Sequence, residues 1–537
     1  MMARPAKTAI FEQFAADGFT KMFGNPGTVE QGFLDVLEQR EDIEYVLTLQ
    51  ESVAIGIADG YARALNRPGL IQLHAGVGLG NGIGMLYQAM RGHTPLLVVA
   101  GDAGVRYDAM NAQMSADLVS MAQPVTKWAT RVLHPGSVLR VLRRAVKVAM
   151  TVPRGPVFVG LPMDVLDADT SEPAVPTVIP SQDVVPSAAD LDRAASALQA
   201  ARDPIVLIGD GVSDTGAQAE LTRVAELLGA PVWGADSAEM NMDTTHPLYR
   251  GQLGHMFGAS SQARVQDADV VLIVGTYVFP EVFPLLDSPF RKDVRLIHID
   301  LDVNEIAKNF PVDIPLAANP KPTLAALAER LSDHGRLMAA ELHSIRSQRN
   351  QQPPDGTLIE LFTAELAKQA PADLVVFDEA LTASPAVTRF LPARVPGSYH
   401  ATRGGSMGVG IPGAIGIKLA RPEAEVVGFT GDGGIMYTEQ ALWTAARLGV
   451  AAKFVVCNNH RYRLLDQNID QYWRERGIPG HGYPSGFDLS KPEIDFAALA
   501  AAHGVPGLRV DKTDQIESAI EQMLAADGPF LIDLNTE

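Results

Sequence analysis

Short apolar runs rich in β-branched residues recur along the chain, and each ends at a glycine or polar turn before a longer amphipathic stretch. Leu96–Ala100, Ile205–Ile208, Val270–Val274, Val375–Phe377, Val426–Phe429 and Phe454–Val456 are the clearest. This alternation predicts βα units built around parallel sheets. From Thr170 to Ser187 the pattern lapses, and Pro173, Pro176, Pro180 and Pro186 predict a semi-rigid linker. A second break, Asn350 to Gly356, contains Pro353, Pro354 and Gly356. The two breaks leave segments of about 175, 165 and 180 residues. The expected architecture is three α/β domains, at 1–178, 187–345 and 356–537, each with a central parallel sheet flanked by helices. Each segment carries one strand-to-turn junction of similar look: VVAGDAG (98–104), VLIGDGV (206–212) and GFTGDGG (428–434). No short-period repeat suggests a solenoid or propeller.

Composition narrows the partners. The 537 residues include 44 Lys and Arg against 63 Asp and Glu, a formal net charge of −19. That sign argues against nucleic acid and against an anionic membrane surface, and leaves small molecules as the expected partners. A content of 47% hydrophobic and 20% charged residues with 48 Gly is globular, and it suits many tight strand-to-helix turns. The single Cys457 forms neither an intrachain disulfide nor a thiolate metal site, which fits a reducing compartment. Glu12 and Asp17 interrupt the N-terminal apolar residues, unlike a signal peptide. No apolar run approaches the roughly 20 residues that span a bilayer, and the expected location is the cytoplasm.

The third junction has a company that the others lack. Asp432 stands in Gly431-Asp432-Gly433 at a strand end, and 27 positions on comes Asn459, in Cys457-Asn458-Asn459, directly after the next strand. Consecutive parallel strands present their C-terminal ends at one edge, where ligands bind. Asp432 and Asn459 are therefore candidates to converge on one hard cation through oxygen atoms, for which Mg²⁺ and phosphate oxygens are the natural company. Either piece alone also reads as a plain turn or a helix cap. The similar Gly209-Asp210-Gly211 is not followed by an Asn pair after a strand, so spacing makes the difference. Glu51 lies between an apolar strand, Val46–Leu49, and a small-residue helix, a position where a carboxyl group is expected to be desolvated.

Gly-Asp-Gly followed at this distance by Asn-Asn resembles the thiamine-diphosphate motif. FGNPGT (23–28), LQES (49–52), LHAGVGLGN (73–81), GPVFVGLP (155–162) and GGSMGVGIPGAIG (404–416) resemble the benzoylformate decarboxylase branch of thiamine-diphosphate enzymes, in the group that includes acetolactate synthase and pyruvate oxidase. The resemblance runs from about residue 8 to the C-terminus. It implies a pyrimidine-binding, a central and a diphosphate-binding domain. It implies a metal ion held by Asp432, Asn459 and the carbonyl of Arg461, with Gly433, Gly434 and Thr382 beside the diphosphate. Glu51 would bond the aminopyrimidine and promote deprotonation of the thiazolium. Met407 would prop the bent cofactor, with Gly405 and Met407 meeting the aminopyrimidine through their backbone. His74 would exchange a proton near the substrate, and Thr28 would meet the substrate carboxylate. Thr382 reads equally as a helix N-cap, and Met407 as core filler.

The central segment departs from the pattern. Where the decarboxylases have a second histidine, this chain aligns Val282, with Glu281 and Tyr277 nearby and His255 unplaced. The segment 461–476 is expected to line or lid a substrate channel, with Leu464 and Asn468 at pocket positions and Arg463 a candidate partner for a carboxylate. Its other reading is a solvated helix with Tyr472 and Trp473 packed inward. The expected function is Mg²⁺- and thiamine-diphosphate-dependent decarboxylation of a benzoylformate-like or other aromatic or branched 2-oxo acid. By the resemblance it proceeds through an ylide and an enamine to an aldehyde, with possible carboligation. The alternative is an acetolactate-synthase-like carboligase forming 2-hydroxy ketones, with or without structural FAD. The resemblance implies a homo-oligomer, a dimer at minimum and a tetramer by analogy. A dinucleotide-binding dehydrogenase finds no convincing G-x-G-x-x-G, and a scaffold that had lost chemistry would lack Glu51 or the metal pair.

Overall fold

The computed structural model of the chain describes residues 3–235, 237–254, 256–332 and 353–536. His255 and the Asn350–Gln352 part of the second break lie outside the described residues. Contacts divide the chain into two compact units, residues 1–179, 355–390 and 402–537 in one, residues 180–354 and 391–401 in the other. That the short stretch 391–401 joins the second unit is not visible in the hydrophobic pattern.

The first unit begins with a parallel sheet of β1 (Lys21–Gly24), β2 (Glu44–Leu47), β3 (Gly69–Leu73), β4 (Leu96–Asp102), β5 (Trp128–Arg131) and β6 (Pro156–Pro162). Their order is β2-β1-β3-β4-β6-β5. Helices cover both faces, so the runs β3, β4 and β6 are buried along their whole length. Alternate residues serve the two faces: Val98 and Ala100 join one apolar cluster, Leu97 and Val99 the other. The chain turns back between β1 and β3, which makes their C-terminal ends the switch point of this sheet. Helix α1 (Glu51–Leu65) follows β2 and α2 (Ala75–Arg91) follows β3.

The second unit holds β7 (Pro204–Ile208), β8 (Val232–Gly234), β9 (Tyr249–Gln252), β10 (Val270–Val274), β11 (Arg295–Asp300) and β12 (Ile314–Ala317). All pair in parallel, in the order β9-β8-β7-β10-β11-β12. Val206, Leu272 and Val274 pack on one face, and Leu207, Val271 and Ile273 on the other.

The first unit is completed by β13 (Val375–Glu379), β14 (Val426–Gly431), β15 (Lys453–Asn458), β16 (Gly507–Val510) and β17 (Phe530–Asn535), with α3 (Gly410–Ala420) before β14 and α4 (Arg463–Arg476) after β15. These strands run in parallel in the order β13-β14-β15-β17-β16. Helix α3 crosses α1 at backbone contact. A Cβ at Gly60 would lie 2.1 Å from the Gly413 carbonyl, and one at Gly416 would lie 2.0 Å from that of Ile57. The glycines of GIPGAIG are thereby used, and Ile57, Ala58, Ala414 and Ile417 join one core that runs under both sheets of the unit.

Candidate active site

At the switch point of the first sheet the ends of β1, β2 and β3 bring three carboxyl and imidazole groups to one edge. Glu51 is the first residue of α1, where the helix N-terminus favours a negative charge. The Gln50 side chain caps the same helix by accepting from the Ser52 and Val53 N–H groups. Glu51 is 5% exposed. Its Oε1 accepts from Asn25 Nδ2 at 3.3 Å and its Oε2 from Asn81 Nδ2 at 3.0 Å. Asn25 is itself steadied by Gln72, whose Nε2 donates to the Asn25 carbonyl at 3.3 Å while its Oε1 accepts from Tyr45 Oη at 2.5 Å.

His74 follows β3 as the residue before α2, and its Nδ1 stands 2.8 Å from Glu30 Oε2. Glu30 is 2% exposed and also accepts the Gly101 N–H, at 2.9 Å. Burial pushes the Glu30 carboxyl above its ordinary range, and His74 beside it pulls it back. A Cβ at Gly27 would stand 1.9 Å from His74 Nδ1, so only glycine lets the imidazole lie against this turn. Thr28 opens the turn Thr28–Glu30 and is exposed.

At the third sheet, Asp432 follows β14 and Asn459 follows β15, adjacent strands in register. Both side chains meet one donor: the Arg461 N–H lies 3.1 Å from Asp432 Oδ2 and 3.2 Å from Asn459 Oδ1. Asp432 Oδ1 accepts the Gly433 N–H at 2.8 Å. Burial raises the Asp432 pKa, opposed by these backbone donors. The first asparagine of the pair has a different employment. Asn458 Nδ2 donates to Asp533 on β17 at 3.0 Å, inside the sheet. Tyr462 covers Gly433, and a small cavity opens among Asp432, Gly433, Met436, His460 and Tyr462.

Among the described residues no group of three or more His, Cys, Asp or Glu is placed to hold a metal ion. A cation here would take one carboxylate, one amide oxygen and backbone carbonyls, the donor set of a hard ion that keeps phosphate oxygens or water in its shell. A buried carboxylate met by backbone N–H groups fits that requirement, since it is short of positive charge.

Thr382 lies within the short turn Leu381–Ala383 and is not a helix N-cap; its neighbour Leu381 has φ +50°. Gly405 has φ +77° and is exposed, while Met407 is half-buried and Gly434 fully buried. The segment after Arg461 is a helix, and its bulky residues divide. Trp473 is 7% exposed and stacks on Tyr483 at 5.9 Å, whereas Tyr472 is 49% exposed beneath Arg476 and so is not packed inward. Arg463 is exposed, and Leu464 and Asn468 are half-buried. The Arg461 side chain is occupied by a bidentate pair with Asp466 at 2.6 and 3.0 Å. In the second unit Val282 is 54% exposed, Glu281 accepts from the Ser261 hydroxyl and Tyr277 lies under Lys308 at 3.9 Å.

Four residues of these clusters escape a reading by motif. Asn81 sits inside LHAGVGLGN and Glu30 two positions past FGNPGT, so the motifs bordered on them. Gln88 and Glu379 carried no sequence signal. Gln88 Oε1 accepts the N–H groups of Gly404 and Ser406, and Glu379 accepts those of Gly408, Val409 and Gly410. Burial pushes the Glu379 carboxyl up to about 7, opposed by these donors.

Comparison with known proteins gives matching assignments along the chain. Thiamine pyrophosphate enzyme models match as N-terminal TPP binding domain over residues 5–121, central domain over residues 191–327 and C-terminal TPP binding domain over residues 382–534. The chain is 31% identical over 542 residues to benzoylformate decarboxylase of Pseudomonas aeruginosa, covering 99% of this chain and 98% of that protein. It is 27% identical to a probable acetolactate synthase large subunit of Methanocaldococcus jannaschii, over 98% of this chain and 91% of that one. Among solved structures, the thiamine diphosphate-dependent 4-hydroxybenzoylformate decarboxylase of Rhodococcus jostii RHA1 matches with a TM-score of 0.89 at 28% identity, covering 99% of both chains.

Proposed function

We propose, from the premise that this chain belongs to the thiamine pyrophosphate enzyme family, that it is a Mg²⁺-dependent decarboxylase of an aromatic 2-oxo acid related to benzoylformate. The observation that carries the reading is the pairing at one sheet edge of a buried carboxylate, Glu51, with a carboxylate-held imidazole, His74. Thiamine diphosphate, when bound, supplies a nucleophilic carbon and an electron sink for the loss of CO₂. Glu51 is the group to bond the aminopyrimidine and move its proton, since both its oxygens are oriented by amide donors and shielded from water. His74, its ring aimed by Glu30, holds or moves a proton at the substrate oxygen, and the Thr28 hydroxyl meets the substrate carboxylate. Asp432, Asn459 and the Arg461 carbonyl would hold Mg²⁺ at the diphosphate, beside Gly433, Gly434 and Thr382. Gly405 and Met407 would support the pyrimidine.

By analogy with the family, the working enzyme is a homo-oligomer in which Glu51 of one protomer serves the cofactor held by Asp432 of another. Carboligation of the acetolactate type is the second reading, favoured by Val282 standing where a second histidine was expected and by the acetolactate synthase relatives.

The test is incubation with thiamine diphosphate, Mg²⁺ and a panel of 2-oxo acids, following CO₂, aldehyde and hydroxy ketone together. Benzoylformate-like acids should give CO₂ and aldehyde in equal amounts. Hydroxy ketone as the main product would shift the assignment to the ligase, and no CO₂ from any acid would overturn it. Glu51→Gln should keep cofactor affinity and lose about 10²- to 10⁴-fold in turnover.

A further inference from the structure

We propose that Glu379, with Gln88 opposite it, is a positioning clamp that shapes the 404–410 loop to receive the aminopyrimidine half of thiamine diphosphate without touching the cofactor. The proposal rests on the reading given under Proposed function. Glu379 ends β13 and is 2% exposed. Its Oε1 accepts the Gly408 N–H at 2.6 Å and the Val409 N–H at 3.2 Å, and its Oε2 the Gly410 N–H at 2.7 Å. These N–H groups stand at the head of α3, whose N-cap residue, Val409, makes no side-chain cap bond. The acceptor that a local Asp or Ser commonly supplies arrives instead from a neighbouring strand end.

From the other side Gln88, also buried, accepts the Gly404 N–H at 2.8 Å and the Ser406 N–H at 3.3 Å. Thr438 Oγ1 donates to the Gly408 carbonyl at 2.6 Å. The clamp thus takes every second N–H from Gly404 to Gly408 and passes over Gly405 and Met407, the two positions assigned to the aminopyrimidine. The Glu379 carboxylate also accepts from Thr430 Oγ1 at 3.1 Å, on β14, the strand that Asp432 follows. The pyrimidine loop is thereby tied to a strand of the same sheet, and the Thr430 bond asks only for an acceptor oxygen, which a glutamine at this position keeps. A polar group buried at this depth is costly unless its hydrogen bonds are made, and a fully bonded one fixes the geometry of its donors.

Glu379→Gln keeps the size of the side chain but turns an NH₂ group against N–H donors. Hydrogen exchange on the cofactor-free protein should show faster exchange at Gly408–Gly410, with β15 and β17 unchanged. In calorimetric titrations with Mg²⁺, thiamine diphosphate should bind about tenfold more weakly, while inorganic diphosphate, which lacks the pyrimidine, should bind within about twofold of the parent. Gln88→Ala should give the same split, and serves if Glu379→Gln does not fold. Equal losses for both ligands would make the clamp a general structural support and overturn the proposal, as would unchanged exchange and affinity. A parent protein that binds neither ligand would instead overturn the underlying functional reading.

Discussion

Each buried carboxylate of the first unit's two clusters is met by donors, and the kind of donor separates their tasks. Glu51 has two side-chain amides, Glu30 an imidazole and the backbone N–H groups of Gly101 and Ala75, and Glu379 a row of backbone N–H groups. A carboxylate bonded to an imidazole selects the tautomer and angle of the ring. Glu30→Gln should therefore leave fold and cofactor affinity intact and lower kcat, by about 10- to 100-fold, less than the loss for His74→Ala. Steady-state kinetics on both variants, with cofactor titrations alongside, check this; a Glu30→Gln enzyme with full kcat would remove Glu30 from the mechanism. Of the three carboxylates only Glu51 announced itself in the sequence, because it alone stands inside a recognisable run at a strand-to-helix boundary.

At the scale of the element, β15 explains why one residue pair carries two tasks. The strand lies between β14 and β17, so Asn458, its last residue, is spent on Asp533 while Asn459, one step past the sheet, is released toward Asp432. The same central position encloses Cys457, which is 1% exposed. Burial pushes its thiol well above the ordinary range, and the charges of Asp378 and Asp432 push it in the same direction. Cys457 should remain unlabelled by a thiol reagent in the native protein and react fully once denatured, a contrast that mass spectrometry reads directly. Rapid labelling of the native protein would mean that β15 opens, and with it the Asp432 site. Helix α4 shows a limit of periodicity: the pattern could not tell Trp473 from Tyr472, because which of two adjacent aromatics faces inward depends on Tyr483, ten residues farther along.

At the scale of the molecule, the proposal that Glu51 and Asp432 act from different protomers has a direct consequence. Glu51→Gln and Asp432→Asn proteins, each inactive alone, should regain about a quarter of the parent activity when unfolded and refolded together in equal amounts. Half the dimers are then mixed, and each has one intact site. No recovery, with mixed dimers demonstrated by mass spectrometry, would place both residues in one protomer's site.

The sequence by itself determined the βα class, three parallel sheets, and the motif positions of Glu51, His74, Asp432 and Asn459. Those are local properties: alternation of apolar runs and turns, and residue types at strand ends, survive in one dimension. Only the tertiary structure decided which groups meet. Glu30 reaches His74, Gln88 reaches Gly404 and Glu379 reaches Gly410 across separations that spacing does not encode. The physical reason is that hydrogen bonds are satisfied in space, and a buried acceptor takes whichever donors the packed helices and strand ends bring to it.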